Sequence, residues 1–466
     1  MAAAWLACGL AVALAGCGSA RGGHDGGGGR VAGPPPKTLT VYSDLPVEGP
    51  TGASGASGPT GSTGSRESVA QQQSIENGAR LALEQWGHTV KYGRAGHRGS
   101  FHVYFRPLDD ASPATGQWSQ DLVAANVQRA ASEPTTVAYI GDFESAATAL
   151  SLPALSPGGI LQVSPWSPYV GFTDANPADG KGDPARFYPP NGENDFARLV
   201  PSDLAEAQAI VHYMQSMGVA RLYVLGDVSV FDAAIAQLVA NDAPKAGITL
   251  VGLKNNIDTQ TNSQPVGYAQ IVADVEAARP DAVLLGGTAG VGAIALWQEL
   301  HAKLPDAKLF APASLATPAF LAGIAASGES CSGPAGKTVA CYPAAGATYV
   351  TSPIRQPRQY PASAQAVFRA YRRRFDSAPT AYALYGYAAM EDVLKAIRLT
   401  GRFTTDRGRL LDVFFHHLGR IEATAPGGVI GGYTIDGRGD SSLATFDGYR
   451  VGRTGGLEFD RRVAVG

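Results

Sequence analysis

From about residue 38 to residue 311, short apolar runs alternate with longer stretches whose apolar positions recur every three or four residues. The runs at 38–42, 101–105, 137–140, 160–163, 221–225, 249–253, 281–285 and 308–311 read as buried strands. Helical spacing marks 69–86, 119–131, 204–217, 231–241, 268–278 and 292–300, and a short helix joins 137–140 to 160–163. In the first of these helices Ile75, Ala79, Ala82, Leu83 and Trp86 share one face. Such alternation predicts βαβ units and parallel sheets, an α/β fold. An irregular stretch rich in Pro, Gly and Asp, 176–194, divides two alternating blocks, the second starting at Pro201. Further helices are expected at 362–375 and 381–400, then short strands and turns over 431–465.

The segment 137–172 carries the most chemistry. Its two strands end in Gly141-Asp142-Phe143-Glu144-Ser145 and Ser164-Pro165-Trp166-Ser167-Pro168. In an open parallel sheet, ligands sit outside the carboxyl ends of the strands. The Ser145 hydroxyl and the N–H groups of the helix it begins suit an anion, such as a carboxylate. Asp109-Asp110 reads as a strand-end turn and helix cap rather than a metal pair.

A chain of 466 residues is long for one domain and comfortable for two or three. The formal charge of −3 leaves no nucleic-acid footprint. Residues 1–16 form an apolar run too short to span a bilayer. It ends in Leu14-Ala15-Gly16-Cys17, which matches the bacterial lipoprotein box, with Cys17 lipidated; no Lys or Arg precedes Arg21. Residues 1–16 then read as a signal peptide and 17–37 as a disordered Gly- and Pro-rich tether. Export makes Cys331 and Cys341 a loop-closing disulfide; no neighbouring His or Cys supports a metal pair. Residues 49–66 place Gly at every third position, read as a floppy insertion in the first strand-to-helix loop.

Gly286-Gly287-Thr288-Ala289-Gly290-Val291-Gly292 has dinucleotide-enzyme spacing. It lies mid-chain, no Tyr-x-x-x-Lys pair occurs, and no acidic ribose ligand ends the next strand, so glycine here reads as close packing. Gly333-Pro334-Ala335-Gly336-Lys337-Thr338 lacks the first P-loop glycine, where Cys331 stands. The eight histidines are scattered, and Arg372-Arg373-Arg374 reads as a solvated helix face. Neither catalytic residue, metal ligand nor cofactor is assigned.

In order along the chain stand Leu45-Pro46-Val47-Glu48-Gly49-Pro50, Asn77-Gly78-Ala79-Arg80-Leu81-Ala82, Leu108-Asp109-Asp110-Ala111-Ser112-Pro113 and Tyr139-Ile140-Gly141-Asp142-Phe143-Glu144-Ser145. Gly159-Ile160-Leu161-Gln162-Val163-Ser164-Pro165, Val200-Pro201-Ser202-Asp203 and Tyr382-Ala383-Leu384-Tyr385-Gly386-Tyr387 follow. Together these segments resemble type I periplasmic binding proteins, the Leu/Ile/Val-binding-like receptors of ABC importers. The resemblance implies two Rossmann-like lobes, 38–198 plus 349–426 and 199–348 plus 427–466, joined by three crossovers that hinge on a ligand. It implies a carboxylate contact at Ser145 with Ala146, a Ser-Pro loop at Trp166 and Ser167, and an aromatic wall at Phe231 after Asp227, near Gly287. Two departures stand out. Pro168 replaces a frequent threonine, and Val291 takes the place of the glutamate that pairs with a ligand ammonium. Glu144, Asp142 and Asp227 are candidates for that counter-charge, Glu144 first. The function implied is a monomeric, lipid-anchored, extracytoplasmic receptor. It would pass a small carboxylate-bearing solute, an amino acid, to a permease and ATPase. A bilobed sensor signalling to a membrane partner is the alternative, and a dinucleotide-dependent oxidoreductase the third.

Overall fold

The structure, a computed structural model, describes residues 37–465 except 50–61, 94–97, 175–183, 189–193, 230, 232, 260–266, 327, 333–337, 342 and 419–427. Cys17, the tether and most of the Gly-x-y insertion therefore lie outside the described residues. The end of that insertion differs from expectation: Ser62 already belongs to the first helix.

The first sheet comprises β1 (Lys37–Asp44), β2 (Thr89–Tyr92), β3 (Gly99–Leu108), β4 (Thr136–Ile140), β5 (Leu161–Ser164) and β6 (Phe196–Arg198), ordered β2-β3-β1-β4-β5-β6. All its pairs are parallel except β2 with β3. Its helices are α1 (Ser62–Gln85), α2 (Gln120–Ser132) and α3 (Ser145–Leu155). The second sheet follows through α4 (Asp203–Ser216), β7 (Arg221–Asp227), α5 (Ala234–Asp242), β8 (Thr249–Ile257), α6 (Gly267–Ala278), β9 (Ala282–Gly286), α7 (Val291–Lys303) and β10 (Lys308–Ala311). Then come α8 (Pro318–Ala325), a two-stranded ribbon of β11 (Gly328–Ser332) and β12 (Thr338–Cys341), and β13 (Thr348–Ser352). The chain returns to the first sheet with α9 (Ala362–Phe375), α10 (Ala383–Thr400) and α11 (Arg407–Val413). It closes with β14 (Thr445–Val451) and β15 (Leu457–Ala464). The second sheet runs β15-β14-β13-β10-β9-β7-β8, with β14 and β15 antiparallel. Two lobes of parallel-dominated sheet flanked by helices result, as the alternation predicts.

Strand alternation puts opposite faces of each sheet into different cores. In β4, Ala138 and Ile140 join the core under α1, α9 and α10, while Tyr139 joins the one under α2 and α3. The second sheet is covered by α6, α7 and α8 on one face and by α4 and α5 on the other. The motif glycines of α1 and α10 have a packing reason. A Cβ on Gly78 would lie 2.0 Å from the Ala383 carbonyl oxygen, and one on Gly386 would lie 1.9 Å from that of Ile75. The two helix backbones touch there, and no larger residue fits.

The chain passes between lobes after β6, after β13 and before β14. Val429, Ile430, Tyr433 and Ile435, just ahead of the last passage, pack into the first-lobe core. In the ribbon, Cys331 stands opposite Val339 and Cys341 opposite Gly328; the two cysteine side chains lie outside the described residues.

Candidate functional site

The carboxyl ends of β4 and β5 face those of β7, β9 and β10 across a cleft of about 1190 Å³, counted to its open mouth. Phe143, Glu144, Ser145, Trp166, Pro168 and Tyr382 line the first-lobe wall. Asp203, Glu206, Phe231, Ile235, Thr288, Ala289, Ala313 and Ser314 line the second.

The first wall is shaped by a polar network behind it. Asp142 is wholly buried and accepts from Tyr139 Oη at 2.9 Å, Gln162 Nε2 at 3.3 Å and Ser151 Oγ. Its carbonyl accepts from Ser164 Oγ at 2.7 Å and Ser167 Oγ at 3.1 Å. The loop is thus pinned at 142, and residues 143–145 turn toward the cleft. Ser145 starts α3, so the N–H groups of that first turn have no intrahelical partner. Its hydroxyl also accepts from the Tyr169 N–H at 3.4 Å.

The Ser-Pro loop supplies a ring rather than amides. The Trp166 N–H donates to Ser164 Oγ at 3.2 Å, and the Ser167 N–H donates to the Phe143 carbonyl at 3.2 Å. Trp166 stacks on Phe143 with centroids 5.5 Å apart and planes at 9°, and Tyr382 tilts against both rings. Ser167 is fully buried behind this wall, its Oγ 2.5 Å from that of Thr148. Ala146 is half-buried and does not line the cleft.

On the second wall, Phe231 lines the cleft with its ring edge-on to Tyr169, centroids 5.0 Å apart. Asp227 sits behind it, 2% exposed. It accepts from the Ser229 and Thr288 N–H groups, both at 2.8 Å, and so staples the loops after β7 and β9. A Cβ on Gly287 would come within 2.7 Å of Asp227 Oδ2, so glycine there admits the carboxylate. Gly287 itself and Val291, 42% exposed at the start of α7, are not among the lining residues.

Two acids that the sequence reading did not assign to the site line the cleft: Asp203 and Glu206, from the first turn of α4. Glu206 Oε1 accepts from the Ala313 N–H at 2.7 Å and Thr351 Oγ1 at 2.8 Å. Burial pushes its carboxyl up to about 7, against the pull of those two donors. Among the described residues, no Lys, Arg or His lines the cleft.

A periplasmic binding protein family model matches residues 60–412. The chain belongs to the periplasmic binding protein family. Solved structures with this fold include a leucine-binding protein from Thermotoga maritima (17% identity, TM-score 0.62, covering 91% of this chain and 99% of that one). A solute-binding protein of an ABC transporter from R. palustris, in complex with benzoate, is similar at 14% identity and TM-score 0.60, covering 92% of this chain and 97% of that one. A branched-chain amino acid transporter substrate-binding protein from Streptococcus pneumoniae, in complex with isoleucine, is similar at 14% and 0.60, covering 92% and 99%. No curated protein matches in sequence.

Periplasmic binding proteins bind solutes outside the cytoplasm and change no covalent bond. In this one, among the described residues, no helix is long and apolar enough to cross a membrane. The loop after β5 is clamped by Arg198, which is fully buried at the end of β6. Its Nη1 donates to the carbonyls of Tyr169 at 2.7 Å and Ser167 at 3.2 Å, and its Nε lies 2.9 Å from Asp440 Oδ1. Asp440 belongs to the final passage between lobes, so the ion pair ties the cleft wall to the crossover. Binding chemistry is all this site offers: a helix start and hydroxyl for an anion, rings for apolar surface, carboxylates for a cation.

Proposed function

We propose that the protein is the solute receptor of an ABC importer and that its ligand is a small α-amino acid. One observation carries the reading. The cleft sets the Ser145 hydroxyl and the α3 N-terminus on one wall against Asp203 and Glu206 on the other, with no basic side chain lining it among the described residues. The first wall suits a carboxylate, and the second suits an ammonium, which needs a counter-charge when desolvated. Glu144 adds to that negative side. The carboxylate end is supported by the ligands of similar structures, leucine, isoleucine and benzoate, which share that group. The rings of Phe143, Trp166 and Phe231 suit an apolar side chain.

The test is thermal stabilisation of the detergent-solubilised full chain by a library of amino acids and non-amino carboxylates, since a ligand of the folded state raises the melting temperature. At least one amino acid is expected to do so, more strongly than its deaminated analogue. Stabilisation by aromatic or aliphatic acids alone would remove the amine from the reading, and silence across the library would sink it. We further assign Cys17 as the lipid anchor and Cys331 with Cys341 as a disulfide. Release of a Cys17→Ser variant from membranes, and alkylation of Cys331 and Cys341 only after reduction, are the expected results; a membrane-bound variant or freely alkylated thiols would refute them.

A further inference from the structure

Asp44, Asp110 and Asp142 end or follow three neighbouring parallel strands, β1, β3 and β4, and all three are at most 1% exposed. One carboxylate oxygen of each lies within 4.8 Å of those of the other two. Among the described residues none of the three has a Lys, Arg or His ion-pair partner. Three negative charges collected in a dry place without a cation are heavily unfavourable.

The hydrogen bonds divide the oxygens into two sets. Asp44 Oδ1 accepts from Asn126 Nδ2 at 2.9 Å, and Asp142 Oδ2 accepts from Ser151 and Gln162. These neutral donors orient the carboxylates. Asp44 Oδ2 and Asp142 Oδ1 must share the Tyr139 hydroxyl, at 3.1 and 2.9 Å, although it has a single hydrogen. Asp110 Oδ1 is buried with no hydrogen-bond partner among the described residues. Neighbouring Asp109 is occupied elsewhere, accepting from the Val47 and Ala111 N–H groups as a turn cap.

We propose that Asp44, Asp110 and Asp142 form a buried divalent-cation site, with Ca2+ as its occupant. Hard cations of this kind take carboxylate oxygens at roughly 2.3–2.6 Å, so oxygens on opposite sides of one ion stand about 5 Å apart. None of the three lines the cleft, so the site is separate from the solute. Because residues 143–145 follow directly, the ion would brace the first wall from behind.

The purified full chain, stripped with EDTA and dialysed at neutral pH, would be titrated with Ca2+ by calorimetry and melted with and without millimolar Ca2+. One equivalent bound per chain and a melting temperature raised by several degrees are expected. Asp110→Asn, nearly isosteric, should lose both responses. Asp412→Asn, on the exposed face of α11, should keep them. Absence of Ca2+ binding in the wild-type chain would overturn the site and leave protons as the neutralising charge; so would a Ca2+ response that survives Asp110→Asn. The wild-type stoichiometry decides the matter even if Asp110→Asn fails to fold.

Discussion

On the first-lobe wall of the cleft, most polar groups of the loops are spent on the loops themselves. Asp142, Ser164, Ser167 and the amides of residues 166 and 167 bond to one another; these loops present Ser145, Glu144, Phe143 and Trp166, beside Tyr382 and the polar Gln71, Gln72 and Gln117. On the second-lobe wall the loops hide Asp227, but α4 presents Asp203 and Glu206, and Thr288 and Ser314 also line the space. One wall is therefore a hydrogen-bonded surface ending in a helix start, and the other a set of carboxylates and hydroxyls. On the proposed reading, preorganisation on one side would spare a ligand the cost of ordering that wall. Charge on the other side would then set which ligands are accepted.

The comparison can be broken hardest at Arg198. Arg198→Met removes the clamp on the loop after β5 and leaves the part-exposed Asp440 to the Thr173 hydroxyl. A loss of about 3–5 kcal/mol in denaturant unfolding is expected, because two buried carbonyls lose hydrogen bonds from a charged group. A loss within error would mean the wall is held by its own hydrogen bonds.

Next in size is pH. Glu206 has a higher pKa folded, about 7, than its ordinary 4.5, so the folded chain holds the extra proton. The stability this confers is complete below the ordinary value and is lost as pH rises through about 7, up to roughly 3 kcal/mol. Asp195, pushed up to about 7 by burial, acts in the same direction. Stability of the ligand-free chain should fall between these limits, and Glu206→Gln should flatten the curve. An unchanged slope in that variant would show that Glu206 does not titrate there.

The remaining two substitutions sharpen the division between walls. Glu206→Gln should weaken amino-acid binding by about 10–100-fold, the range of a hydrogen bond to a charged group, and leave a benzoate-like acid nearly untouched. Ser145→Ala should weaken amino acids and plain carboxylates alike, by about tenfold, because the α3 N–H groups remain. Equal effects of both variants on both ligand classes, read as Kd by calorimetry, would erase the distinction.

Much of the first wall was readable from residues alone. Two apolar runs, a small polar loop after each and a helix opening at Ser145 were enough to put Phe143, Glu144, Ser145 and Trp166 at the carboxyl ends of the strands, where they line the cleft. What could not be read was where spare hydrogen bonds would go. Ser167 and Asp227 sit in the expected loops, yet their polar atoms serve neighbouring backbone. The acids of α4 were hidden for the opposite reason. Asp203 and Glu206 look like ordinary acidic residues at a helix start, and only the packing of α4 beside β13 and the loop after β10 turns Glu206 toward the cleft. The edge strand β2 and the final pairing of β13 with β14 also escaped, being too short or too polar for periodicity to register.

That last pairing has a consequence for biogenesis. The sheet of the second lobe lacks two of its strands until β14 and β15 have emerged, and the first lobe waits for α9 and α10. Neither half can close until parts of the chain far apart in sequence have both been made. A nascent chain that stays open in this way remains threadable, as suits a protein that works on the far side of a membrane.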